Sequence, residues 1–151
     1  KAWNDVVSLG ALKLKNRVVM SALTRIRCTE GGVPTDLVRD YYTQRTGAGL
    51  ILTECVAVSQ RGIGYPYQGC LFNKEQAEGW KKVVESVQSK GTKMFAQIYH
   101  AGRVTHPQLN GGFEPIAPSP INTREKIPFL PGVDYPVPKE ATLEDIQIIK
   151  N

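Results

Sequence analysis

Two short apolar runs set the fold class. GLILTE, residues 49–54, is continuous and bounded by glycine, as a strand buried on both faces of a parallel sheet is. KMFAQIY, residues 93–99, is a second strand-like run. Between them Asn73 is followed three residues on by Gln76, a capping-box pair, and Gly91 marks a stop. Ala77, Trp80, Val83, Val84 and Val87 give that helix one apolar stripe. Upstream, DVVSL and LKLKNRVVM flank a Leu9-Gly10-Ala11-Leu12 hairpin centre that leads into a buried strand at residues 17–21. After a loop with Gly31, Gly32 and Pro34, Thr35 can cap a helix with Leu37, Val38, Tyr41 and Tyr42 on one face, ended by Gly47 and Gly49. Strands starting near residues 17, 49 and 93, alternating with helices, predict right-handed βαβ units and a parallel sheet.

The texture then changes. Eight of the ten prolines lie between residues 101 and 141, with Gly111, Gly112 and Gly132. A structureless loop of that length does not suit a compact domain, so the segment reads as a lid or small insert. Thr142 with Asp145 opens a third helix whose apolar line is Leu143, Ile146 and Ile149. The expected organisation is one domain portion: hairpin 1–16, βαβαβ 17–100, lid insert 101–141 and the start of a helix 142–151.

Composition narrows the function classes. With 151 residues, 41% hydrophobic and 22% charged, the chain can bury a core. The net charge of +5 is scattered, with no basic block interleaved with aromatics, which argues against nucleic acid. No apolar run reaches the length of a membrane span. Cys28, Cys55 and Cys70 are odd in number and widely spaced, and read as reduced thiols of a cytoplasmic protein without a metal site. The chain begins at Lys1 and stops inside an apparent helix, as a piece of something longer would.

Ligands of parallel α/β folds gather at the C-terminal strand ends. Here those ends carry Ala22-Leu23-Thr24-Arg25, Thr53-Glu54-Cys55 and Gln97-Ile98-Tyr99-His100. Each polar residue has a plain structural explanation: Thr24 bonding its own loop, Glu54 salt-bridging a helix, Gln97 satisfying a buried backbone group, His100 acting as a hydrogen-bonder. Their coincidence at three strand ends points to a ligand site. Dinucleotide, P-loop, nucleophile-elbow and zincin motifs are absent, and Glu30, Glu54 and Glu114 sit in segments that do not combine into a carboxylate pair.

At these same residues the chain resembles the old yellow enzyme family of FMN-dependent ene-reductases. The resemblance runs through LKNRVVMSALTRIR, YYTQRTGAGLILTECVAVSQRGIGYP, FNKEQAEGWKKVVESVQSKG, FAQIYHAGR and APSPI, in order and across essentially the whole chain. It implies an α/β fold, the (β/α)8 TIM barrel, of which this chain holds the hairpin, the first three strands, the insert and the start of the third helix. It implies FMN, reduced by NADH or NADPH, and a small enone-type substrate. Thr24 matches the residue that hydrogen-bonds the flavin ring, Gln97 the one that reads its pyrimidine edge with an amide. Ala22, where relatives often have proline, and Leu23 match the turn beside the ring, and Cys55 a small residue lining it. Thr24 also counts toward the substrate pocket, with Tyr65 and Tyr99, the latter where relatives often have tryptophan, matching its wall. His100 and Arg103 are expected to fasten the start of the lid.

The family's carbonyl-binding histidine and asparagine pair, its proton-donating tyrosine and its phosphate-binding residues match nothing in this chain, so its catalytic residues are unknown. The rest of the barrel, or a partner chain, is needed to cover the open sheet. A reading from another class is a non-catalytic half-barrel serving as a structural or interaction protein. The intact mass and colour of the native polypeptide separate the two.

Overall fold

Residues 2–150 are described by a computed structural model. A tight hairpin comes first, β1 (Val7–Leu9) pairing antiparallel with β2 (Leu12–Leu14). Gly10 takes φ +55° in its two-residue turn, a conformation that a side chain resists.

Next, β3 (Val19–Met20), β4 (Leu50–Ala57) and β5 (Lys93–Tyr99) form a parallel sheet in the order β3-β4-β5. Helices α1 (Asp36–Thr43) and α2 (Lys74–Gln88) are the crossovers. The strand, helix, strand, helix, strand rhythm is therefore observed, with different limits. Only two residues of the expected 17–21 strand pair with β4, and β4 runs on to Ala57 instead of stopping at Glu54.

A bulge accounts for the longer strand. Leu52 pairs with Phe95 and Cys55 with Gln97, so Thr53 and Glu54 together oppose one residue of β5. The extra residue reverses the phase of the alternation. Ile51 and Val56, five apart, consequently both face the helices and join Val38, Tyr42, Trp80, Val83 and Val87 in one buried cluster. Full burial of each aliphatic side chain there contributes about 1.5–3 kcal/mol.

The helices are less regular than their patterns suggest. Asn73 and Gln76 do form the reciprocal capping box, the Gln76 N–H donating to Asn73 Oδ1 at 2.9 Å. Gln76, Gly79, Trp80, Val83 and Val87 are the buried face of α2, and Ala77 lies outside it. Thr35 precedes α1, but its hydroxyl donates to the Arg27 carbonyl at 2.7 Å instead of capping the helix. Leu37 is 67% exposed, because an eight-residue helix buries only a narrow stripe through Val38 and Tyr42. Neither Gly47 nor Gly49 ends α1, which stops at Thr43 with Gln44 still right-handed. Gly49 serves close approach instead, since a Cβ there would collide with the Asn16 carbonyl oxygen.

The proline-rich insert has its own short ladder, β6 (Ile116–Ala117) parallel to β7 (Lys139–Glu140), before α3 (Leu143–Lys150). Thr142 and Asp145 cap α3 reciprocally: the Asp145 N–H donates to Thr142 Oγ1 at 3.1 Å and the Thr142 N–H to Asp145 Oδ2 at 3.0 Å. The Thr142 N–H and hydroxyl, helped by Lys139, hold the Asp145 carboxyl down at about 2. Asp145 is the buried residue of α3. Leu143 and Ile146, expected on its inner line, are exposed.

Candidate functional site

The sheet has two unlike faces. Met20, Ile51, Val56 and Met94 meet the helices. The other face carries Leu52 beside Phe95, then Cys55 beside Gln97, then Ala57 beside Tyr99, as the register dictates. Phe95 and Gln97 are exposed there, so this face is open and mixes apolar surface with a free carboxamide.

Gln97 is oriented by the bulge. Its N–H donates to Thr53 Oγ1 at 2.9 Å, so a side chain replaces the ladder carbonyl at the point where the strand phase changes. The Cys55 thiol donates to Gln97 Oε1 at 3.1 Å. Oε1 keeps a second lone pair and Nε2 makes no hydrogen bond among the described residues, which leaves a donor and an acceptor for a planar ligand edge. Gln97 therefore does not satisfy a buried backbone group, the plain structural explanation open to it. Cys55 is half-buried, whereas Cys28 and Cys70 are buried within the fold. Burial pushes the Cys70 thiol up to about 11 and the Cys28 thiol higher still.

Thr24 is half-buried, and its hydroxyl makes no hydrogen bond among the described residues, so it does not bond its own loop. Ala22 and Leu23 line a cleft between β3 and α1 with Met20, Tyr41 and Arg45. No hydrogen bond joins residues 22–24 to Cys55 or Gln97 among the described residues. What links the two groups is Glu54, whose carboxylate accepts from the Arg25 N–H at 2.8 Å. The expected salt bridge from Glu54 to a helix is not formed. Glu54 is fully buried, and its contact with α1 is its own N–H donating to Tyr42 Oη at 2.7 Å.

At the strand ends the aromatics cluster. The Tyr65 and Tyr99 rings are stacked with centroids 6.3 Å apart and planes at 26°. Phe129 of the insert meets Tyr65 edge-on at 5.7 Å. Gly64 makes room, since a Cβ there would lie 3.0 Å from the Tyr99 hydroxyl oxygen. Burial, with the neighbouring Tyr65, pushes the Tyr99 phenol far up, so it stays protonated through the physiological range. Phe129 was not legible in the sequence because PFLPG has no periodicity. Thr53 was visible only as a polar residue at an assumed strand end.

At the root of the insert, His100 and Arg103 both make hydrogen bonds. His100 Nδ1 accepts from the Gly102 N–H at 3.1 Å, and its ring packs over Gly62. Burial and the nearby Arg61 lower the His100 pKa, which keeps the imidazole neutral. Arg103 donates to the Ile121 carbonyl and, at 3.2 Å, to Ser119 Oγ.

The profile of the NADH:flavin oxidoreductase / NADH oxidase family matches residues 6–151. The chain belongs to this family. Among curated relatives, it is 42% identical over 118 residues to flavin oxidoreductase hxnT of Emericella nidulans, covering 75% of this chain and 30% of that protein. It is 39% identical over 141 residues to 12-oxophytodienoate reductase 7 of Oryza sativa subsp. japonica, covering 89% and 35%. It thus spans about a third of the length of these relatives. Among solved structures, the old yellow enzyme homologue from Zymomonas mobilis superposes with a TM-score of 0.93 at 34% identity, covering 99% of this chain and 42% of that one. Morphinone reductase in complex with tetrahydroNAD superposes with a TM-score of 0.89 at 34% identity, covering 99% and 43%. The fold is accordingly part of the old yellow enzyme TIM barrel, with its three parallel strands left as an open sheet. Among the described residues no helix is long and apolar enough to cross a membrane.

Proposed function

We propose that this chain forms the flavin-facing first part of a cytoplasmic FMN-dependent ene-reductase that uses NADH or NADPH to reduce activated alkenes such as enones. The observation that carries this reading is the exposed Gln97 carboxamide on the open sheet face, its oxygen held by Cys55 and its nitrogen without a partner among the described residues. Its donor and acceptor suit the pyrimidine edge of a flavin, and the thiol of Cys55 is small enough to lie against the ring.

In this reading Gln97 and Thr24 hydrogen-bond the ring, while Ala22, Leu23 and Cys55 line it. Bound FMN supplies hydride chemistry between a nicotinamide and an alkene. Tyr65 and Tyr99 form an apolar wall over that face, orienting the alkene and excluding water. The 101–141 insert acts as a lid, with Arg103 and His100 at its root and Phe129 against the wall. The carbonyl-polarising and proton-donating groups come from the remainder of the barrel.

Affinity follows from the same count. Thr24, Gln97 and one backbone group offer about 1 kcal/mol net each, whereas micromolar binding takes about 8 kcal/mol. The 151-residue chain is expected to hold FMN weakly and to be inactive alone; a stoichiometric yellow chromophore on it would contradict this. With the barrel complete, cyclohexenone is expected to stimulate NADPH or NADH oxidation in the presence of FMN. Absence of turnover there would overturn the enzyme reading.

A further inference from the structure

The turn after β3 is anchored from beneath by a buried carboxylate. Glu54 has no exposed surface and sits at the bulge of β4. The Arg25 N–H donates to its Oε2 at 2.8 Å, and the Ile26 N–H faces the same carboxyl group. Ile26 adopts φ +48°, which few residues with a branched side chain do. A left-handed residue at this place turns successive N–H groups toward one point, the geometry of an anion-binding nest. Here the anion is supplied by the chain itself.

Nothing else explains a carboxylate in this position. No ion pair reaches Glu54 among the described residues. The Arg25 guanidinium lies over the Tyr41 ring, 4.8 Å from its centroid, so backbone and side chain of Arg25 are fastened separately. Oε1 is buried without a partner among the described residues, which makes the group costly to keep unless the turn it holds is needed. That turn carries Thr24 one residue before the anchored amide.

We propose that Glu54 is a positioning residue, whose buried carboxyl group, accepting from the Arg25 amide, holds the 22–27 turn so that Thr24 faces the flavin. The placement of Thr24 rests on the flavin reading above; the anchoring does not.

The groups facing Glu54 are Arg25 and Arg27 of the turn, Tyr42 of α1 and Cys28. Burial pushes the carboxyl up, and the two amides with the two arginines offset only part of that. A raised folded-state pKa contributes stability that is complete below the ordinary carboxyl range and is lost as pH rises through the folded value. Glu54→Gln abolishes this dependence.

The test is amide NMR on the chain without flavin. In the native protein the Arg25 amide shift should follow a carboxyl titration lying above the ordinary range, and in Glu54→Gln it should be flat. Exchange of the Arg25 amide should be about tenfold faster in Glu54→Ala, with the Val83 and Val87 amides of α2 reporting that the fold persists. If Glu54→Ala fails to fold, the Glu54→Gln titration decides alone. Tyr41→Leu removes the guanidinium contact and should leave the titration in place. An Arg25 amide that behaves alike in native and Glu54→Gln proteins would overturn the anchoring. For the flavin part, Thr24→Val and Glu54→Gln should weaken FMN by similar factors, and the double variant should lose no more than either. Factors that multiply would overturn the positioning role. No effect of Thr24→Val would instead overturn the flavin reading of Thr24, and the anchoring would still be judged by the Arg25 titration.

Discussion

Trp80→Ala is expected to lower the stability of the chain by about 3–5 kcal/mol, the range for truncating a buried tryptophan. Three losses combine. The indole is buried between α2 and the sheet, 6.3 Å from the Tyr42 ring centroid and tilted 52° to it. Its Nε1–H donates to the Cys70 carbonyl at 3.1 Å, an acceptor left without that donor in the variant. Gly69 has been shaped around it, since a Cβ there would lie 2.8 Å from Trp80 Cζ2. Typical domains have about 5–15 kcal/mol in total, so the variant loses a large share of its stability. Leu37→Ala, on the exposed face of α1, should stay within about 0.5 kcal/mol of the native chain. Urea unfolding of both variants checks the contrast, and equal losses would mean that α1 packs by its other face.

Gln97→Leu should weaken FMN binding about tenfold while leaving stability nearly unchanged, because the carboxamide is exposed. Leucine removes both hydrogen-bonding functions offered to the ring, and about 1.4 kcal/mol corresponds to that factor. It also releases the Cys55 thiol from its acceptor. Fluorescence titration of FMN reads the affinity. An unchanged dissociation constant would mean that the open sheet face is not where flavin binds.

What the sequence reveals and what it hides divide along the line between local and non-local interactions. The capping box of α2 was legible because Asn73 and Gln76 satisfy each other three residues apart. The reciprocal cap of α3 was legible for the same reason, while its apolar residues were not placed correctly, since Leu143 and Ile146 find no covering surface. The β4 limit was missed because the strand continues through polar Thr53 and Glu54, and only pairing with β5 shows that they form a bulge. That bulge governs the site: it sets Cys55 opposite Gln97 and puts the Thr53 hydroxyl on the Gln97 N–H. Residues 22–24, Cys55, Gln97 and Tyr99 stood out by their place at strand ends, whereas their individual roles, and Tyr65 altogether, came from resemblance to the family. The anchor of the first group, a glutamate 29 positions from Arg25, had no local signature. A salt bridge was the natural expectation for Glu54, and the amides of a left-handed turn took that place.

The most direct measurement is an FMN titration of the isotope-labelled chain followed on its amide and side-chain NH2 resonances. The Gln97 carboxamide and the amides of Leu23, Thr24 and Cys55 should shift together with a single weak dissociation constant, while the outer face of α2 stays still. Shifts that bypass Gln97 and Cys55, or that gather on the helices, would contradict the assignment of the open sheet face as a flavin site.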